Sequence, residues 1–79
     1  MATNKRPSRA KLLSYIERIK AAQMFWYAEL ARSIESEDYR AVRRANVILD
    51  EAALAIQRIR SRIAVGDYGK EKRRRNRAT

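Results

Sequence analysis

An unbroken apolar seam between residues 42 and 63 constrains the fold of this chain more than any other feature. Apolar residues recur there at alternating steps of three and four positions, which places their side chains on one face of a helix. This spacing is typical of helices that pack side by side, and small alanines allow a close approach. The members of the seam are Val42, Ala45, Leu49, Ala52, Ile56, Ile59 and Ile63.

A similar pattern precedes this seam, over residues from about 9 to 33. It contains no glycine or proline, so the sequence predicts a first helix here. Ser8 stands just before it and is a suitable N-cap, because a serine hydroxyl can accept from the free N–H groups of a first turn. The first seam consists of Leu12, Ile16, Ile19, Gln23, Trp26 and Leu30, and Leu13, Tyr27 and Ile34 lie beside it.

The turn between the helices is placed at residues 34–36. Ser36 is the expected N-cap of a second helix from about 37 to 65, and the acidic residues 37–38 suit the positive end of its dipole. Gly66 is the expected stop, because glycine readily adopts the left-handed conformation that ends many helices.

These elements predict an all-α protein. Two helices of similar length joined by a short turn pack antiparallel, so we expect a two-helix hairpin over residues 9–65. A basic leader at 1–8 and a basic, disordered tail at 66–79 flank it. A lone hairpin of this size is marginal, and a chain without cysteine or histidine lacks disulfides and ordinary zinc sites. We therefore expect a homodimer that forms a four-helix bundle.

The residues that are missing argue against catalysis. Without cysteine or histidine there is no thiol nucleophile and no imidazole base, and the two glycines form no phosphate-binding loop. We expect no enzyme, no cofactor and no metal site. No apolar stretch approaches the roughly 20 residues that span a bilayer, so a soluble, cytoplasmic protein is predicted.

Positive charge is concentrated in the predicted tails. The formal net charge is +10, of which residues 1–11 and 66–79 contribute +4 each. A basic tail of this kind binds phosphate backbones without reading sequence, so nucleic-acid binding is the alternative function. It also serves solubility alone in many proteins, and the sequence does not separate the two roles. The candidate nucleic-acid-binding residues are Lys70, Lys72, Arg73, Arg74, Arg75 and Arg77.

The outer side of the second helix carries the candidate partner-binding residues. An aromatic residue and several arginines follow the turn, and these residue types are enriched in protein interfaces. Two apolar residues, one heptad apart, continue on the side opposite the seam. A solvated helix face is the alternative interpretation. The set consists of Tyr39, Arg40, Arg43, Val47 and Leu54, with Arg44 beside it.

Three consecutive aromatic residues, Phe25, Trp26 and Tyr27, form the most unusual local feature. Consecutive positions on a helix fan over about 200°, so the three cannot all face one partner helix. We interpret Trp26 as part of the hairpin core and its neighbours as a homodimer seam; the alternative makes one of them an anchor for a foreign protein. The predicted core and dimer set is Phe25, Trp26, Tyr27, Leu30, Leu49, Ile56 and Ile59.

Four short motifs between residues 12 and 56 resemble the phage-encoded quorum-sensing anti-activator family. They are Leu12-Leu13, Phe25-Trp26, Tyr39-Arg40 and Ala52-Ala53-Leu54-Ala55. That family consists of small helical-hairpin dimers that bind LuxR-type transcription activators such as LasR, and also the type IV pilus assembly ATPase. The resemblance implies that Tyr39 and Arg40 contact a partner protein.

The sequence thus leads to a small, non-enzymatic regulatory protein that binds and inhibits another protein. A phage-encoded inhibitor of a host transcription regulator, acting in the host cytoplasm, is the specific form of this hypothesis. The alternative is a nucleic-acid-binding protein that uses basic tails on a helical dimer. A component of a phage or ribosome-associated assembly, whose tails order on a larger surface, is a third possibility that the sequence does not separate from the second.

Overall fold

The computed structural model describes residues 6–69. Helix α1 spans Arg9–Glu35 and helix α2 spans Tyr39–Ala64, and the two pack against each other as a hairpin. The predicted fold class, an antiparallel helical hairpin, is confirmed. Within residues 6–69, neither helix is long and apolar enough to cross a membrane.

The core follows the two seams. Every position of both seams is buried or half-buried between the helices. Burial is deepest at five apolar side chains, which are 1–7% exposed. The pattern of apolar residues therefore identifies the faces along which α1 and α2 meet. The five are Leu12, Ile16, Ala45, Leu49 and Ile56.

The size of the buried side chains changes along the hairpin. Leu12, Ile16 and Ile56 lie toward the open end, where α1 begins and α2 finishes. The buried residues nearest the turn are small, Ala45 and Ser33. Ser33 is accommodated because its hydroxyl donates to the carbonyl oxygen of Glu29 at 2.8 Å, which satisfies the polar group locally.

The turn differs from the sequence-based expectation. α1 continues to Glu35, and residues 36–38 connect the helices. Glu37 adopts the left-handed conformation, with φ of 59°. Its N–H donates to the carbonyl of Ile34 at 3.1 Å, and the N–H of Asp38 donates to the carbonyl of Ser33 at 2.9 Å. This pair of bonds is a Schellman motif, which satisfies two carbonyls at the end of α1.

The N-cap of α2 is Asp38, so the assignment of Ser36 to this role was wrong. The carboxylate of Asp38 accepts from the N–H of Ala41 at 3.2 Å. Ser36 instead caps the C-terminus of α1, because the chain reverses only at Glu37, one residue after it. The acidic residues 37–38 consequently precede the first turn of α2.

The beginning of α1 and the end of α2 agree with the expectations. The side chain of Ser8 accepts from the N–H of Lys11 at 3.1 Å, so Ser8 is the N-cap. Gly66 has a φ of 75°, and its N–H donates to the carbonyl of Ile63 at 3.1 Å. The N–H of Asp67 donates to the carbonyl of Arg62 at 2.8 Å, which completes a second Schellman motif.

Residues 6–8 and 67–69 contact each other and close the open end; we call this pairing the terminal clasp. The N–H of Gly69 donates to the carbonyl of Pro7 at 2.9 Å, within a parallel bridge between Ser8 and Gly69. Asp67 pairs with Arg6 at 3.0 Å. Of the tail that the sequence predicts to be disordered, residues 66–69 are described, of which 67–69 contact residues 6–8, and residues 70–79 lie outside the described residues.

Candidate protein-binding surfaces

Large apolar side chains are more often exposed than buried in the described part of the chain. Nine of them are 39–77% exposed, whereas four are buried in the core, namely Leu12, Ile16, Leu49 and Ile56. Single exposed apolar residues are ordinary, but several on one face indicate a contact surface. The nine are Leu13, Met24, Phe25, Tyr27, Ile34, Tyr39, Val47, Leu54 and Val65.

All five predicted partner-binding residues are exposed. Helical spacing places Arg40, Arg43, Val47 and Leu54 on one stripe that faces away from the α2 seam; we call it the α2 outer stripe. Val47 and Leu54 are 50% and 48% exposed, so each offers apolar area beside an arginine. Tyr39 is 68% exposed and lies to one side of this stripe, at the first position of α2.

The α2 outer stripe also carries opposite charges. Asp50 and Glu51 are exposed between its two apolar residues, and Arg58 is exposed one turn beyond Leu54. The sequence analysis did not include these three in the site. Helical spacing identifies them, because each lies three or four positions from Leu54 and therefore on the same face of α2. The stripe can therefore take part in apolar contacts and in charge pairing of either sign.

The predicted core and dimer set divides into three groups. Leu49 and Ile56 are buried. Trp26, Leu30 and Ile59 are half-buried. Phe25 and Tyr27 are 57% and 55% exposed, so they lie outside the hairpin core, and their assignment to a homodimer seam stays a prediction.

Two rings of the aromatic triplet contact each other. Phe25 packs edge-on against Trp26, with ring centroids 5.3 Å apart and planes at 89°. Such T-shaped pairs are favourable beyond their buried area. Trp26 is thereby covered on one side by α2 and on another by Phe25, while Tyr27 lies on the opposite flank of α1.

A second stripe runs along one flank of α1; Leu13, Tyr27 and Ile34 were predicted to lie beside the first seam, but Met24 was not. Its positions alternate steps of four and three from Leu13 to Ile34, which puts them on one face. Met24 at its centre is 71% exposed, the largest value among the large apolar residues of α1. We call it the α1 flank stripe. Its members are Leu13, Glu17, Lys20, Met24, Tyr27, Ala31 and Ile34.

Charge is segregated along the hairpin. Residues 6–18 and 56–69, which form the open end, contain seven basic and two acidic residues. Residues 19–55, which contain the turn, have five basic and six acidic residues. All of the net positive charge of the described residues therefore lies at the open end. The basic residues there are Arg6, Arg9, Lys11, Arg18, Arg58, Arg60 and Arg62.

The described side chains form surfaces for contact and show no cluster of ligands. Residues 6–69 contain no group of histidine, cysteine, aspartate or glutamate that could hold a metal ion. Two of the carboxylates, Glu17 and Glu29, pair with Lys20 and Arg32 on the same helix. The candidate nucleic-acid-binding residues, from Lys70 to Arg77, lie outside the described residues.

Comparisons with protein-family models, with curated proteins and with solved structures found no match to this chain. The resemblance to the anti-activator family therefore stays a prediction.

Proposed function

We propose that this chain is a small, non-enzymatic protein that acts by binding another protein and inhibiting it. The observation that carries the proposal is that, within residues 6–69, nine large apolar side chains are exposed and four are buried. A monomer rarely leaves apolar residues grouped on two stripes unless another surface covers them. Two such stripes are present, on different helices.

The two stripes suit different roles. The α2 outer stripe combines exposed arginines with Val47 and Leu54, the mixture found in protein interfaces. It is the surface that we propose for the partner protein, with Tyr39 at its edge. The α1 flank stripe is more continuous and more apolar, which suits self-association into the homodimer that the small core favours. The chain would then bind its partner as a dimer.

The class of partner that we propose is a host transcription regulator of the LuxR type. This part rests on the four motifs that resemble the anti-activator family, among which Tyr39 and Arg40 are exposed at the beginning of α2. Inhibition would follow from occupancy, because a bound hairpin covers surface that the regulator needs to dimerise or to reach DNA.

A binding measurement with a purified regulator tests this proposal. The full chain is titrated into a LuxR-type regulator such as LasR by calorimetry, beside the triple variant Arg40→Ala, Val47→Ala, Leu54→Ala. Interface residues at a binding centre each cost about 1–2 kcal/mol when truncated, so we expect the triple variant to bind at least about 100-fold more weakly.

A matched variant on the same helix, which also removes one arginine, is the control. Asn46→Ala and Arg60→Ala change exposed residues that helical spacing places to one side of the α2 outer stripe, and this variant should bind like the parent chain. Equal affinity of the outer-stripe variant would show that the site lies elsewhere. Absence of binding by the parent chain would reject the regulator as partner, whichever surface is used.

Nucleic-acid binding is the second candidate function, and the terminal clasp favours it. The bridge between Ser8 and Gly69 holds both ends of the described chain at the basic open end. Residues 1–5 and 70–79, which contain seven further basic residues, are attached there. Phosphate groups near this end would meet charge from both helices as well as from the flanking segments.

Salt dependence separates this function from the first. Binding of a duplex of about 20 base pairs should fall by more than tenfold between about 50 and 300 mM salt if phosphate contacts dominate. Deletion of residues 70–79 leaves Gly69 and its bond to Pro7 in place, so it removes charge without opening the clasp. DNA affinity that survives this deletion unchanged would reject a role for the tail residues.

A further inference from the structure

The middle of α1 is apolar on almost every side. Between residues 21 and 31 only Gln23 and Glu29 carry an amide or a charge, and Glu29 is paired with Arg32. A helix with apolar residues all round is normally buried on more than one side. In the hairpin, α2 covers one side only, so Met24 and Tyr27 stay exposed on the flank.

The α1 flank stripe is apolar at both ends and at its centre. Leu13 and Ile34 close it, Met24 lies at its centre, and Lys20 and Tyr27 lie four and three positions from the centre. In an isologous contact between two copies, residue i of one copy faces residue j of the other and the reverse. In this register the numbers of facing residues sum to 47 or 48.

We propose that the partner on the α1 flank stripe is a second copy of this chain, packed antiparallel, with the two-fold axis close to Met24. Leu13 of each copy then faces Ile34 of the other, and Lys20 faces the ring of Tyr27. An ammonium group over an aromatic face is attractive. The inference specifies the geometry of the homodimer in the proposed function and leaves the α2 outer stripe free.

The charges at the two ends of α1 select the same arrangement. Arg9 and Lys11 are exposed at its beginning, and Glu35, Glu37 and Asp38 are exposed at and after its end. The register centred on Met24 places the basic beginning of one α1 beside the acidic turn of the other. Opposite charges at these positions favour association and fix the orientation.

A parallel dimer would bring like charges together. It would place two open ends side by side, each with seven basic and two acidic residues before the flanking segments are counted. Like charges that face each other across an interface oppose association and suppress that pairing. The apolar stripe and the charge pattern therefore point to one orientation, although they are independent observations.

Distances between spin labels test the orientation directly. The chain has no cysteine, so Ala21→Cys and Ser14→Cys each introduce one label per copy. Both residues are exposed and lie beside the stripe, outside its seven positions. With a rise of 1.5 Å per residue, the antiparallel register separates the two copies along the helix axis by about 8 Å at position 21 and about 29 Å at position 14.

We expect the label distance at position 14 to exceed that at position 21 by roughly 20 Å. Nearly equal short distances at both positions would show a parallel dimer, and long distances at both would place the interface away from α1. Absence of a dipolar signal at about 100 μM protein, a concentration at which even weak dimers form, would show a monomer. Each of these three results overturns the proposal.

A substitution at the centre provides a second test. Met24→Glu places two carboxylates together at the two-fold axis, and an unpaired charge in an interface is costly. We expect the dimer dissociation constant, measured by sedimentation, to rise by on the order of 100-fold, with helical circular dichroism retained because Met24 is 71% exposed in each copy. Met24→Leu should dimerise like the parent.

The same variants separate failure of this inference from failure of the proposed function. A Met24→Glu variant that stays dimeric rejects the interface, whatever the partner does. Loss of partner binding in the outer-stripe variant, with dimerisation intact, would support the separate role of α2. If Met24→Glu and the outer-stripe variant both left dimerisation unchanged, the second copy would have to dock elsewhere and the inference would be wrong.

Discussion

The two helices of the hairpin end in the same hydrogen-bonded motif, but a different type of residue adopts the left-handed conformation in each. Both helices end in a Schellman motif, with bonds of 2.9 and 3.1 Å at the turn and 2.8 and 3.1 Å at the open end. The left-handed residue is Glu37 at the turn, with φ of 59°, and Gly66 at the open end, with φ of 75°. Left-handed conformation costs a residue with a side chain about 1 kcal/mol, and glycine avoids this cost.

The ends also differ in how the helices are kept together. At the turn, residues 36–38 link them covalently, and small buried residues, Ala45 and Ser33, are sufficient. At the open end no short link exists, and large buried side chains and the terminal clasp are found there. Stabilising contacts are thus concentrated at the open end, where no short link joins the helices. The strained residue, Glu37, lies at the turn, where the helices are linked covalently.

Removal of a large core side chain at the open end should have the largest effect. Leu12 is 1% exposed, and Leu12→Ala should lower the free energy of unfolding by about 2–5 kcal/mol. Ser33→Ala, the counterpart near the turn, should cost about 1 kcal/mol or less, because its hydroxyl bonds only to Glu29 within the same helix. Urea unfolding at one fixed protein concentration, followed by helical circular dichroism, measures both.

Leu54→Ala is the control for this comparison, since it removes the same atoms from a side chain that is 48% exposed. It should change stability by about 1 kcal/mol or less. If Leu12→Ala leaves no folded protein, Leu12→Val gives a smaller, measurable loss. Equal losses for Leu12→Ala and Ser33→Ala would remove the distinction between the two ends.

Opening the terminal clasp should have an intermediate effect. A Cβ atom at Gly69 would overlap the carbonyl oxygen of Arg6, so Gly69→Ala should separate the two chain segments. The loss is limited to what the clasp contributes, about 1–2 kcal/mol for one backbone hydrogen bond and one exposed ion pair. Hydrogen exchange at the amide of residue 69 should lose its protection in the variant.

Arg6→Ala is the matched variant, because it removes the pairing with Asp67 but leaves the bond from Gly69 to Pro7. It should cost less than about 1 kcal/mol, and this loss should shrink at high salt, where exposed pairs are screened. An amide at residue 69 that stays protected after Gly69→Ala would show that the clasp does not depend on the absence of a side chain there.

Exchange of the two left-handed residues should give the smallest effects, with opposite signs. Glu37→Gly should raise the free energy of unfolding by about 0.5–1 kcal/mol, and Gly66→Ala should lower it by about 1 kcal/mol. A Cβ at Gly66 meets nothing within 4 Å, so the second effect is conformational only. Thermal or urea unfolding measures both.

The double variant Glu37→Gly, Gly66→Ala provides the control for this exchange. The sites lie at opposite ends of the hairpin, so the two changes should add and nearly cancel. Destabilisation by Glu37→Gly would mean that the glutamate side chain makes a favourable contact that outweighs its backbone conformation, and the two ends would no longer be comparable.

The core could be predicted from sequence because it depends on spacing alone. Each seam position from Leu12 to Leu30 and from Val42 to Ile63 is buried or half-buried. Ser33 was not included, although it continues the first seam three positions after Leu30, because burial of a hydroxyl depends on a local bond that spacing does not reveal.

The turn was less predictable. Serine is a common N-cap residue, so Ser36 was a reasonable candidate. Whether it caps α2 depends on whether Glu37 adopts a left-handed conformation, which residues other than glycine and asparagine seldom do. The terminal clasp could not be predicted at all. Arg6 and Asp67 are 61 positions apart, and their meeting depends on the relative lengths of both helices.

Part of the candidate surface followed from the sequence. The exposure of Arg40, Val47 and Leu54 agrees with their helical position opposite the seam. Met24 was not predicted to lie on a contact surface, because the prediction for this part of α1 considered only the aromatic triplet beside it. A second stripe with the same spacing on α1 contains Met24. Which stripe a foreign protein covers depends also on the surface of that protein, whereas a second copy of the chain presents the same residues.

The terminal clasp also determines how the molecule responds to mechanical force. Arg6 and Gly69 lie together at one end, so tension applied between them first breaks the bond to Pro7 and the pairing at Asp67. The helices then peel apart from the open end toward the turn, and their contacts rupture one after another under low load. Pulling instead between residue 6 and the turn loads the whole interface in shear, and the same contacts would then resist together.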